Sequence, residues 1–494
     1  MTKLVVASNR GPIQFEVDDD GNLSTSRGSG GMVAALGPAL AGQGGTWVAA
    51  AISDGDRVAA RKAKGGRRRV ELAQGAVQLR SIVIDQPKYQ AYYNRVSNRT
   101  LWFLQHHLFD VPRHPGFDRS FRDAWHAYTD VNVTFAEACE AEADEGGEVY
   151  VQDYHLSLVP AMLRERRQDI AINFFLHCPW VDPDSWAMLP EKVSGEILTG
   201  MLGADLLGFL VPRWARNFLR CCEAAGYQVD HAKDGGGQVR LDSGRVVSAR
   251  AYPLGVDADL LRERAAKPDV RGQRRAMRDW ARNRRLVVRV DRMELSKNIL
   301  RGLDGFRIFL ERNPRARGRV VHYVLAYASR RDLPEYQAYA SEVRQKVDDI
   351  NERFRTRNWE PVRLEAKDNY PRALAAMAMA DVLIVNPVWD GMNLVAKEGP
   401  SVSDNDTVLI LSRNAGAADD LADCAIVVNP FDTAELAESI RRALEMPADE
   451  RASRAKALVV GASALPPRDW FDAQRADLQA LWEAGGAKNK ARKH

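Results

Sequence analysis

The densest run of chemically capable side chains is Arg289-Val290-Asp291-Arg292-Met293-Glu294-Leu295-Ser296-Lys297-Asn298. An arginine followed five residues later by a lysine, Arg292 and Lys297, can clamp a diphosphate and stabilise negative charge on a leaving group. A second run, Pro387-Val388-Trp389-Asp390-Gly391-Met392-Asn393-Leu394-Val395-Ala396-Lys397-Glu398, leads a polar loop into a helix. Its amides can face a phosphate or a sugar, and Glu398 can accept hydrogen bonds from a ribose diol. Two histidines and an acid follow apolar runs in Val151-Gln152-Asp153-Tyr154-His155-Leu156 and Phe174-Phe175-Leu176-His177-Cys178-Pro179-Trp180. One such histidine is ordinarily structural; groups of this kind at successive strand ends point into one crevice. Near the N-terminus, Ser8-Asn9-Arg10-Gly11-Pro12 and Arg27-Gly28-Ser29-Gly30-Gly31 precede an apolar helix at Met32–Leu40, a setting in which glycines let backbone amides approach an anion.

These groups need a scaffold that presents strand ends together. Short β-rich runs recur at Leu4–Ser8, Thr46–Ala51, Gln78–Ile84, Glu148–Gln152, Ile170–His177, Leu206–Phe209 and Val246–Tyr252, with helical segments between them. After one charged helical stretch, Leu260–Arg285, the pattern restarts at Leu286–Val290, Val320–Ala326, Val362–Glu365, Val382–Asn386, Thr407–Ser412 and Ala425–Val428. Alternating strands and helices predict α/β architecture, here two doubly wound Rossmann-like domains facing a central cleft. The break falls near Tyr252-Pro253-Leu254-Gly255-Val256-Asp257, where proline and glycine end a strand. Residues 1–253 and 254–468 are the two expected domains. The helix Trp470–Ala484, apolar at Trp470, Phe471, Leu478, Leu481 and Trp482, is expected to pack back on the N-terminal domain as a crossover helix within 469–486. Residues 487–494 read as a frayed basic tail.

A chain of 494 residues with 45% hydrophobic and 28% charged residues is too long for a small binding module and too apolar for disorder. The formal charge of +4 leaves no electrostatic footprint for nucleic acid. The five cysteines are scattered, with no CxxC metal site or disulfide framework, which suits a reducing compartment. No run of about 18 uncharged apolar residues exists, so neither a membrane span nor a signal segment is expected, and the chain reads as cytoplasmic.

In order along the chain, SNRGP, a Gly-Gly pair, YYNRVSN with LW, QDYHL, FFLHCPW, DRMELSKN, ASRRD and DGMNLVAKE resemble the trehalose-6-phosphate synthase family of retaining GT-B nucleotide-sugar glycosyltransferases. The resemblance runs from about residue 3 to about 485. It implies transfer of glucose from a nucleoside diphosphate glucose to glucose 6-phosphate, giving trehalose 6-phosphate. On the donor side, Arg292 and Lys297 match the diphosphate pair, and Asp390 with Gly391, Met392, Asn393, Leu394 and Val395 matches contacts to the transferred glucose and distal phosphate. Glu398 matches the ribose ligand, Gly31 the glycine approaching the donor, and His177 the histidine near the sugar 6-hydroxyl. On the acceptor side, Arg10, Tyr93, Trp102 and Arg330 match the sugar-phosphate set, and Asp153 the carboxylate at the acceptor hydroxyls. Arg10 with Arg330 would make a two-arginine phosphate clamp. The implied mechanism is a front-face route in which the leaving diphosphate oxygen takes the acceptor proton, without metal or cofactor. The partners are then the two substrates, with neither nucleic acid nor membrane, in a chain that could assemble with its own copies.

The sequence also departs from the family. Where GG-x-W-x-GWSG is common, it reads Gly44-Gly45-Thr46-Trp47-Val48-Ala49-Ala50-Ala51, without the second tryptophan. R-L-D-Y-S-K-G becomes Arg292–Asn298 with Met293, Glu294, Leu295 and Asn298 substituted, and R-D-G-M-N becomes Trp389-Asp390-Gly391-Met392-Asn393. In Leu364–Tyr370, the stretch that the resemblance places against the nucleobase, Asp368 could accept from a guanine, so GDP-glucose stands beside UDP-glucose as donor. Two other readings fit the same residues: a pseudo-glycosyltransferase or glucosylglycerol-phosphate synthase with a changed acceptor or donor, and an idle sugar-phosphate sensor.

Overall fold

A computed structural model describes residues 4–18, 20–27, 33, 36–37, 40–41, 44–72 and 75–491. The chain folds into two compact units, Met1–Pro253 with Pro467–His494, and Leu254–Pro466.

The first unit is built on a ten-stranded sheet. Taken across it, the strands begin at Gln228, Gly237, Val246, Leu206, Ala171, Glu148, Leu4, Thr46, Gly75 and Arg67. Leu4–Ser8, Thr46–Ala50, Glu148–Gln152 and Ala171–Leu176 are buried at every position. Their largely apolar runs are what a central parallel strand covered on both faces requires. Antiparallel pairing occurs only at the rims, through Gln228–His231 with Gly237–Arg240, Gly237–Arg240 with Val246–Ala251, and Arg67–Leu72 with Gly75–Ile82.

The second unit has a six-stranded, wholly parallel sheet whose strands begin at Val362, Val320, Arg285, Val382, Val408 and Ile426. Strand order reverses once in each sheet. In the first unit the reversal lies between Leu4–Ser8 and Glu148–Gln152, and in the second between Arg285–Met293 and Val382–Val385. Crevices that hold ligands open at the carboxyl ends of strands beside such reversals.

Three expected elements change. The stretch Leu260–Arg285 is two helices, Ala258–Ala265 and Pro268–Ala281, because Pro268 forces extended geometry on Lys267 (φ −68, ψ 154) and then serves as the first residue of a new helix. The strand expected at Leu286–Val290 runs on to Met293, held by nine paired positions along Val320–Ala328. Arg292 is therefore a strand residue, fixed by backbone pairing. The C-terminal helix starts at Pro467 and its backbone continues to Ala491, into the segment read as a tail. It lies against the first unit: Trp470 and Phe471 are buried, Trp470 Nε1 donates to Tyr252 O at 3.0 Å, Tyr252 Oη donates to Asp477 at 2.6 Å, and Arg475 pairs with Glu148 at 3.0 Å.

At the start of the second unit, the amides of Gly255 and Val256 donate to Leu465 O and Ala462 O. Lys397, on the helix Val395–Val402, donates to Leu254 O at 2.9 Å and pairs with Asp420 at 2.5 Å. Both ends of this unit thus meet beside that helix. No helix among the described residues is long and apolar enough to cross a membrane.

Candidate active site

In the second unit the reversal point collects the basic residues. Arg285–Met293 ends at Glu294, a short turn Leu295–Lys297 follows, and the helix Ile299–Arg312 begins. Asn298 joins them at φ +60, a left-handed conformation best tolerated by glycine and then by asparagine. Its side-chain amide donates to Asn386 O at 3.0 Å and Pro430 O at 2.7 Å, tying the turn to the neighbouring strand end. The asparagine that replaces the family glycine thus keeps the backbone geometry and adds two anchors. Asn298→Ala should cost about 1–2 kcal/mol in backbone strain alone, with further loss from the two carbonyls left without a donor. Chemical denaturation of this variant beside Asn298→Gly, which keeps the geometry, separates the two contributions.

The turn positions a coupled set of charges. Glu294, fully buried, takes Arg292 and Arg330 on the same oxygen, each at 2.7 Å, and Ser329 donates to that oxygen at 2.9 Å. Burial alone would raise the Glu294 carboxyl, but the two arginines outweigh it and hold it at about 2. Lys297 pairs with Asp390. Burial works against the lysine's charge, and Asp390 with Asp291 more than restores it. Beneath them Arg289 is completely buried, donating to Asp291 at 2.9 Å and to Lys297 O at 2.8 Å. Arg289 is a brace that ties strand to turn.

Asp390 also accepts from Asn393 Nδ2 at 3.0 Å. Its loop lies flat on the neighbouring one: Asp390 N donates to Asn414 O, Gly416 N to Asp390 O and Ala417 N to Met392 O. A Cβ on Gly416 would sit 1.9 Å from Gly391 O, so only glycine permits this approach. The helix Val395–Val402 opens immediately afterwards, with the amides of Ala396 and Lys397 bonded back to Asn393 O and Leu394 O. Gly391 to Val395 form this loop and helix start. Glu398 is half-buried one turn in, and burial pushes its carboxyl up to about 7. Asp368 is exposed on the loop before Tyr370–Met379, whereas nearby Glu365 pairs with Arg372 and Asn369 caps that helix.

In the first unit, Arg10 and Asp153 follow the two strands at the reversal point. Arg10 donates to Tyr93 Oη at 3.4 Å. The Tyr93 ring stacks on His155, with centroids 5.7 Å apart, and His155 lies 3.9 Å from Asp153. Asp153 takes an amide hydrogen from His177 at 3.2 Å, and Trp102 joins through Tyr154, 5.9 Å between centroids. Arg10, Tyr93, Trp102, Asp153 and His177 therefore form one cluster. Gln152 donates to Val151 O, so its side-chain oxygen faces His177 Nε2 at 2.9 Å. This places the proton on Nε2 and leaves Nδ1 as an acceptor. Burial lowers the imidazole to about 4, so it stays neutral. Tyr93 and Trp102 lie on a wide helical segment, Ala91–Trp102, in which Ser97 and Thr100 each bond back five residues. Arg330, expected beside Arg10, belongs to the second unit and shares Glu294 with Arg292. Gly31 and the loop 28–31 lie outside the described residues.

Sequence reasoning missed Glu294 as a shared counter-ion and Arg289 as a brace. Backbone strain marks both clusters: among the described residues seven non-glycine residues have positive φ, and they include Asp153 in the first unit and Asn298, Arg330 and Asn393 in the second.

The glycosyltransferase family 20 model matches residues 2–480. Trehalose-6-phosphate synthase of Mycobacterium avium is 35% identical over 491 residues, covering 97% of this chain and 95% of its own. The alpha,alpha-trehalose-phosphate synthase (UDP-forming) of Burkholderia xenovorans, solved in complex with glucose-6-phosphate, superposes with a TM-score of 0.83 at 29% identity, covering 97% of this chain and all of its own. An Escherichia coli structure bound with UDP-2-fluoro glucose gives 0.83 at 26% identity, covering 96% of this chain and 98% of that one. The two doubly wound units are those of the GT-B fold, and the chain belongs to glycosyltransferase family 20.

Proposed function

We propose that this protein transfers glucose from UDP-glucose to glucose 6-phosphate with retention, forming trehalose 6-phosphate. The observation that carries the reading is the set Arg292, Glu294, Arg330, Lys297 and Asp390 at the strand-order reversal of the second unit: it holds fixed cations where a diphosphate departs. The C1–O bond to the β-phosphate breaks, the acceptor 1-hydroxyl oxygen bonds to C1, and its proton passes to the departing diphosphate oxygen. Arg292 and Lys297 stabilise that diphosphate, Asp390 and the Gly391–Val395 amides hold the sugar, and neutral His177 offers Nδ1 to a sugar hydroxyl. Arg10, Tyr93, Trp102, Asp153 and Arg330 hold the acceptor. The names of the relatives favour the uridine nucleotide over GDP-glucose. Five free thiols support assignment to the cytoplasm. A sensor would not need the complete donor set, and the names of the relatives favour glucose 6-phosphate over a changed acceptor.

The test is nucleotide release from UDP-, GDP- and ADP-glucose, each with and without glucose 6-phosphate, with NMR of the product. The expected result is release from UDP-glucose that depends on glucose 6-phosphate, with an α,α-1,1 linkage. Nucleotide binding without turnover on any donor would point to the sensor.

Glu398 supplies a pH prediction. Its carboxyl sits at about 7, above the ordinary 4.5, so the anion that accepts from a ribose diol is depleted below neutrality. UDP affinity should weaken as pH falls below 7, approaching about tenfold per pH unit, and Glu398→Gln should flatten this profile. Calorimetry at pH 6 and 8 would decide; an equal slope in the variant removes Glu398 from ribose binding.

A further inference from the structure

The first unit carries a second basic site that the transfer reaction does not use. A surface pocket of about 570 Å³ lies between the helix Pro212–Ala224 and the hairpin Gln228–His231/Gly237–Arg240, lined by Arg216, Arg220, Glu223, His231 and Lys233. The hairpin turn reaches the helix only because residue 235 is glycine: its φ is +86, and a Cβ there would meet Pro212 Cβ at 2.9 Å. That Cβ position is also 3.4 Å from Arg216 Nη2, so the guanidinium lies over the turn. Arg216 and Arg220 are one helical turn apart, a like-charge spacing that weakens a helix by a few tenths of a kcal/mol. Among the described residues neither they nor Lys233 has an ion pair, and the one carboxylate of the pocket, Glu223, is taken by His231 at 2.8 Å. Three exposed cations thus line a concave surface that holds one carboxylate.

Its place in the sheet separates it from the clusters described above. Gly237–Arg240 is three strands from Ala171–Leu176, after which His177 lies, and five from Leu4–Ser8, about 14 and 24 Å at ordinary strand spacing. Because Gly237 pairs with Ala249, near the carboxyl end of Val246–Ala251, the turn sits at the end of the sheet where ligands gather.

We infer that this pocket binds a small phosphate-bearing anion at a site separate from the acceptor cluster. A phosphate dianion placed between the helix and the turn would accept from the two guanidiniums and the lysine ammonium together, the geometry in which charge-assisted hydrogen bonds are strongest.

The probe is inorganic phosphate, labelled with phosphorus-32, in equilibrium dialysis against the full chain and the variants Arg216→Ala/Arg220→Ala and Lys233→Ala. These residues are exposed, and circular dichroism melts confirm that the variants fold. The double variant should lose one equivalent of bound phosphate per chain, or about tenfold or more in its affinity, and Lys233→Ala should lose part of it. KM for glucose 6-phosphate should stay unchanged. Equal phosphate binding by wild type and double variant overturns the site, as does no binding by wild type at millimolar phosphate. Because the chains compared differ only at the pocket, the outcome is independent of what occupies Arg292 and Lys297. Competition then names the source: displacement by glucose 6-phosphate below the phosphate midpoint identifies a sugar phosphate, and displacement only above it identifies free phosphate, either result supporting the pocket.

Discussion

Arg292→Ala should lower kcat by about 10²–10³ while leaving the thermal unfolding midpoint close to wild type, the loss typical of one preorganised donor to a developing anion. Two features separate the effects. The side chain is 39% exposed, so its removal leaves no cavity, and its backbone is held by the ladder to Val320–Ala328, which the substitution does not touch. Lys297 alone cannot replace it, because Asp390 already claims that ammonium. Steady-state kinetics with UDP-glucose and glucose 6-phosphate, beside calorimetric melting, decide the matter. A variant with near-normal kcat takes Arg292 out of the mechanism.

Glu294→Ala should be the most damaging substitution for stability. Its carboxylate is the shared partner of Arg292 and Arg330, and Arg330 is itself only 7% exposed. Removing it leaves two guanidiniums facing each other with no counter-charge, and breaking a buried pair on one side costs about 3–5 kcal/mol. Glu294→Gln preserves shape without charge and should fall between alanine and wild type. Both variants should also raise KM for each substrate, since the carboxylate positions an arginine assigned to the donor and one assigned to the acceptor. Denaturant titration measures the first effect and initial rates the second; a loss below about 1 kcal/mol for alanine would show that the arginines find other partners.

The parts of the fold legible in the sequence were those written as local pattern. Central strands such as Val382–Val385 are uninterrupted apolar runs, and proline with glycine after Tyr252 marks the break in the chain. Gln228–His231 and Gly237–Arg240 escaped notice because rim strands, half in solvent, carry no apolar signature. Ala91–Trp102 carries no readable shape in sequence, since a helix bonded five residues back has no familiar hydrophobic period. The candidate residues could be read because strand ends at a reversal point collect polar groups from short, contiguous stretches. The partnership of Glu294 with Arg330 could not, because it joins separate strands and depends on their register. Arg289, completely buried, looks in sequence like any other basic residue of an arginine-rich chain.

The C-terminal helix has a consequence for how the protein is made. Its Trp470 and Phe471 fill the core of the first unit against Tyr252, Tyr150 and Phe175, yet they leave the ribosome after the entire second unit has been synthesised. The second unit, whose two ends meet beside Lys397, has all it needs to close on itself during translation. The first must wait with an apolar face uncovered until the helix from Pro467 has been made, so a nonsense mutation anywhere before Pro467 would release a chain whose second unit is finished and whose first unit invites aggregation.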